Sequence, residues 1–176
     1  MISIWRSWTA GQWVLRVVMV AGPLVALFAR TPSLGAPPAW GVLIVLVLGV
    51  GWTLLPESVV GAVALLAVGF SWASSDTTEV SVWVLVAASG LLAAHLAALV
   101  ASYGPPRLPV DPGVTRLWAL RGAGLSGTAA AVWLVARAVA DLPDSPTIWI
   151  LGLVVALSVV VVAAGAIQVA SPQEDR

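Results

Sequence analysis

The chain has 176 residues, 60% of them hydrophobic and 9% charged, with a mean hydropathy of +1.03. A soluble domain carries about 25% charged residues, so water is not the solvent for this sequence. The 8 basic and 8 acidic residues cancel, which removes the basic surface that nucleic-acid binding needs, and the lack of Cys excludes disulfides, thiolate metal sites and cysteine nucleophiles.

Apolar stretches alternate with clusters of Pro, Gly, Ser and acidic residues, and each stretch compares with the roughly 17 to 25 residues that a membrane-spanning helix needs. They predict an all-α fold, a single integral membrane domain built as a polytopic transmembrane helix bundle of six spans. The first, 13–30, follows a short lead-in around Arg6; it is long for a secretory signal, is interrupted by Arg16 and has no cleavage site after it, so it is read as retained. The second, 39–55, begins after Ala36-Pro37-Pro38. Pro56 and Glu57 then make a tight turn into the third, 58–73, with Glu57 expected as the charge at that helix's N-terminus. The third span is short and closely joined to the second, so a five-span arrangement with a re-entrant or shallow hairpin stays open. The fourth, fifth and sixth spans follow at 80–103, 116–139 and 147–170, and 171–176 is a polar tail. Many of these residues are Val and Ile, yet in hydrocarbon the backbone must satisfy its own hydrogen bonds, which makes such runs helical.

Basic residues near span ends favour the cytoplasmic side. Six spans collect Arg6, Arg16, Arg107, Arg116, Arg121 and Arg176 on one side against Arg30 and Arg137 on the other, so both termini are expected in the cytoplasm, with the chain multi-pass in a bacterial plasma membrane. Indole rings concentrate at the headgroup level. Trp5, Trp8, Trp13, Trp52 and Trp118, with Tyr103, fall at predicted inner ends, and Trp40, Trp72, Trp83, Trp133 and Trp149 at outer ends. Trp52 and Trp72 bracket the third span and favour six spans over five. Trp13-Val14-Leu15 with Gly22, and Trp83-Val84-Leu85 with Gly90, give a faint echo between spans one and four. An inverted repeat would mark a transporter, but matches of this quality arise by chance in Leu/Val/Ala sequence.

His95 is the one histidine and the one ionisable residue well inside a span. An intramembrane titratable group suggests a proton relay or ligand contact, whereas a metal site would need further N, S or O ligands that are missing. His95 lies ~12 Å from the inner end of its helix at 1.5 Å per residue, about the depth of Ser126, so the pair is expected to form an interhelical hydrogen bond if spans four and five are neighbours. A Ser/His/Asp catalytic set is not indicated, because every acid lies in a loop. Asp76, Glu79, Asp141 and Asp144 read as solvated loop charges on the outer side.

The fifth span carries Gly122, Gly124, Ser126, Gly127 and Thr128 before three alanines, with small residues four apart on more than one face. Such faces let helices approach closely, so this helix is expected to be the packing centre. Arg121 to Gly127 resembles a phosphate loop only in glycine content, lacking the Lys and the preceding strand. Arg16 and Arg137 are expected to snorkel to headgroups, and Arg107, Arg116 and Arg121 to hold anionic lipid or an acidic partner segment.

In its size, its Arg-only basicity, its paired Pro-rich loops and its short charged tail, the chain resembles uncharacterised small polytopic membrane proteins of actinobacteria, some of them encoded beside MoxR-type AAA+ ATPases. That resemblance implies an accessory role in a membrane assembly and transfers no site residues. With no catalytic constellation, cofactor motif or metal set, the expectation is a non-enzymatic subunit, scaffold or assembly factor, whose partners are the lipid bilayer and either another membrane protein or a second copy. A small transporter or channel with a polar path near His95 and Ser126 is the alternative, and an enzyme acting on lipid at the inner arginines ranks third.

Overall fold

A computed structural model describes residues 8–74, 81–104 and 109–140, with 150, 152–154, 157 and 158. The chain divides into two compact units, 1–136 and 137–176. The helices are α1 (Ala10–Phe28), α2 (Thr31–Leu34), α3 (Ala39–Leu54), α4 (Val59–Ala73), α5 (Trp83–Ser102) and α6 (Pro112–Val139). No strand occurs among the described residues, and three helical segments are long and apolar enough to cross a membrane: Ala10–Leu34, Trp83–Ser102 and Pro112–Val139. Beyond α6 the second unit is described only at isolated helical residues, so most of the predicted stretch 147–170 lies outside the described residues.

Local chemistry sets the helix starts. Thr9 Oγ1 accepts from the Gln12 amide, so α1 begins at Ala10, ahead of the apolar run that marks it in the sequence. Asp111 Oδ1 accepts from the Gly113 amide at 2.7 Å and Pro112 takes the first helical position, so α6 starts four residues before Arg116. The Asp111-Pro112-Gly113 run, which lies before the predicted span 116–139, is a capped helix start. Ser58 is the cap residue of α4, and Glu57 directly precedes it, exposed.

In the first unit α1 is the hub. It packs most extensively on α5, next on α3 and less on α4, while α3 and α4 pack on each other as a hairpin. Its buried face is Gln12, Arg16, Met19, Gly22, Pro23, Ala26 and Leu27, a three-and-four spacing that makes one stripe. The α1–α5 crossing falls at Gly22 and Gly90. A Cβ on Gly90 would sit 2.8 Å from the Gly22 carbonyl oxygen, and one on Gly22 would lie 2.8 Å from Ala94 Cβ and strike the Gly90 carbonyl. Only two glycines let the backbones meet this closely. On either side of the crossing lie two buried clusters, Met19, Trp52, Ala94, Ala97, Ala98 and Ala101 toward the start of α1, and Ala26, Leu27, Ala29, Val45, Val68 and Ala87 toward its end.

Among the described residues the packing centre is α1 rather than the expected fifth span, and α6 buries only Gly122, against Leu96 of α5. Trp52, in the last turn of its helix, is packed inside the protein. It is 2% exposed and fills the space above Gly61, where a Cβ would strike the indole.

Candidate functional site

Arg16 lies in α1 and Arg30 at the cap of α2, two residues past the end of α1 with helical backbone angles; continued helical geometry over the 14 residues places them ~21 Å apart and within about 40° of one another around the axis. Each reaches across to the α3–α4 hairpin. Arg16 Nη1 donates to the Thr53 carbonyl, and Arg30 Nη1 donates to the Ser71 hydroxyl and, at 3.4 Å, to the Ser71 carbonyl. Thr53 lies in the last turn of α3 and Ser71 in the last turn of α4, where carbonyls have no intrahelical amide to accept from. Each arginine therefore caps a helix C-terminus and places its charge at the negative end of that helix's dipole. Trp72 Nε1 returns the favour to α1, donating to the Ala26 carbonyl at 3.0 Å.

The Arg16 end is the more chemically loaded. Arg16 is 6% exposed, its guanidinium carbon lies 4.0 Å from the Trp8 ring centroid, and its Nε is buried with no hydrogen-bond partner. Gln12, one turn earlier, is 3% exposed with Oε1 also unpartnered. This corrects the expectation of a headgroup-snorkelling Arg16: the side chain folds inward. Beside it is a cavity of about 340 Å³, with Trp8, Trp13, Arg16 and Thr53 among its lining at one end and Val17, Val20 and Leu24 along α1.

A second cavity, of about 300 Å³, is bounded by α1, α5 and α6, with Ser89, Thr115, Ser126, Leu96, Trp118 and Gly122 among its lining; the Thr115 hydroxyl donates to the Asp111 carbonyl at 3.0 Å. Ser126 is half-buried there, whereas His95 is exposed on α5 and about 100° around the helix from Leu96. The structure does not bring His95 and Ser126 together, and no hydrogen bond joins them. Arg116 and Arg121 are exposed on α6, with the Arg121 guanidinium 5.1 Å from the Trp118 ring centroid and Trp118 in turn 6.3 Å from Tyr103. Arg107 lies outside the described residues. Gly122 meets Leu96, and Gly124 and Gly127 face open space. Among the described residues no group of His, Cys, Asp or Glu is placed to hold a metal ion.

Sequence reasoning passed over Thr53, Ser71 and Gln12. The usable signal was the 14-residue spacing of the two arginines, which puts them on one side of a continuous helical path. Compared with family models, curated proteins and solved structures, the chain matches none.

Proposed function

We propose that the chain is a non-enzymatic, multi-pass component of a membrane complex, a subunit or assembly factor that docks through α6. The observation that carries this is the outward face of α6. Thr115, Trp118, Ala119, Gly122 and Ser126 turn toward the rest of the first unit, and at 100° per residue Gly124, Thr128 and Ala131 lie on the opposite side. Gly124 has open space where a Cβ would stand, and the Thr128 hydroxyl is spent on the Gly124 carbonyl at 3.0 Å, which leaves a smooth small-residue face. Co-purification from native membranes in mild detergent tests it. A stoichiometric membrane-protein partner or second copy, lost in Gly124→Leu, is the expected result; a bare monomer in both chains overturns it.

We read the chain as six spans with both termini cytoplasmic. The hairpin helices α3 and α4, of 16 and 15 residues, are ~22 to 24 Å long, short for a hydrocarbon core of about 30 Å. Two short helices ending in hydrocarbon would leave bare carbonyls; the caps from Arg16 and Arg30, ~21 Å apart, support a hairpin running the depth of α1 rather than a shallow one. Ser89 and Ser126, both in the lining of that cavity, favour a second reading, a small transporter whose path runs through it. Ser126→Val abolishes flux on that reading and leaves partner binding intact on the first.

A further inference from the structure

The cavity beside Arg16 is apolar along nearly all of its wall, with Arg16 as the one charged residue in its lining. Its cationic end is at the start of α1, where the helix meets the membrane surface on the six-span reading, and Trp8, Trp13 and Thr53 line the same end. From Arg16 the lining continues through Val17 and Val20 to Leu24, ~12 Å of apolar wall along the helix. Its volume, about 340 Å³, lies within the range of small-molecule sites.

The charge at that end rests on the C-terminus of α3 and on the Trp8 ring, with no carboxylate beside it among the described residues. Arg16 is 6% exposed, and its one hydrogen bond goes to the Thr53 carbonyl, leaving Nε without a partner. Trp8 contributes a ring face rather than a counterion. Among the described residues no carboxylate pairs with Arg16: Glu57 is exposed in the hairpin turn, and Asp111 caps α6. A guanidinium buried in protein without a paired anion is costly, and guanidinium binds phosphate oxygens with charge-assisted bonds.

We infer that this cavity is a binding site for one anionic phospholipid, with its phosphate at Arg16 and an acyl chain along Val17, Val20 and Leu24. The site is separate from Arg116 and Arg121, which are exposed on α6. A lipid held here lies against both α1 and the end of α3, so it stabilises the joint that Arg16 makes between them.

Native mass spectrometry of the purified full chain, offered equimolar phosphatidylglycerol and phosphatidylcholine, tests the assignment. The expected result is one phosphatidylglycerol retained with about tenfold preference, the weight of a single charge-assisted contact. Arg16→Gln brings the preference to near unity. Because Arg16 also caps α3, Val17→Trp serves as the second variant: Val17 is 59% exposed at the cavity edge, so a larger ring fills the groove without entering the core. It too is expected to abolish the preference. Equal retention of the two lipids by the parent chain overturns the proposal, as does a preference that survives Val17→Trp. Glycerol phosphate alone is expected not to be retained; retention equal to that of the lipid overturns the phospholipid as occupant.

Discussion

Arg16 and Arg30 show how a polar side chain in an apolar helix acquires a structural task. Each is fixed by a carbonyl that its own helix cannot satisfy, and a hydrogen bond to a charged group contributes about 1.5 to 3 kcal/mol. Arg16→Ala and Arg30→Ala are each expected to destabilise the chain by about that amount in reversible unfolding from mixed micelles, with Arg30→Lys recovering part of the loss. At the α1–α5 crossing, Gly22→Leu forces apart two backbones and is expected to cost about 1 to 3 kcal/mol or more by the same assay, while Gly124→Leu, on the open side of α6, leaves monomer stability unchanged. His95, exposed and without a hydrogen-bond partner, is expected to tolerate Ala with no change in stability or association. The indoles divide similarly by task. Trp52 donates to the Pro56 carbonyl at 3.2 Å and Trp133 to the Ser81 carbonyl at 3.2 Å, so these rings tie turns and helix ends rather than only marking a headgroup level.

Among the elements, helix identity was legible because a long apolar run leaves no alternative once the backbone must bond to itself. α3 and α4 begin and end within a residue of where Pro and Ser punctuate the sequence. Partnership was not legible. A stripe of glycines shows that a helix can approach another but not which one, and α6, the richest in small residues, buries only Gly122. The crossing is made instead by Gly22 and Gly90, which the sequence presents as isolated glycines in Val- and Ala-rich surroundings. The candidate site was hidden for the same reason: nothing local to Arg16 announces that Thr53, 37 residues away, supplies its acceptor. The hairpin carries its own prediction. With Glu57 exposed in the Pro56–Ser58 turn, a cysteine there is expected to react with an impermeant maleimide only after the cytoplasmic side is opened; labelling from outside intact cells would reverse the orientation.

At the scale of the whole molecule, the first unit is a small bundle centred on α1 with large apolar side chains on its outside, among them Val14, Leu43, Val47, Leu66, Phe70 and Leu120. In lipid that exterior needs no cover, so apolar exposure does not itself mark a partner surface. What distinguishes α6 is shape: small residues on its outer side let a second backbone approach. The chain contains no Cys, so single cysteines report without background. The most direct measurement is therefore oxidative cross-linking in native membranes with one cysteine placed in turn at each residue from Leu117 to Val135. The account predicts cross-linked species at Gly124, Thr128 and Ala131, with helical periodicity, and none at Gly122 or Ser126; cross-linking absent throughout α6, or strongest on the Gly122 side, would contradict it.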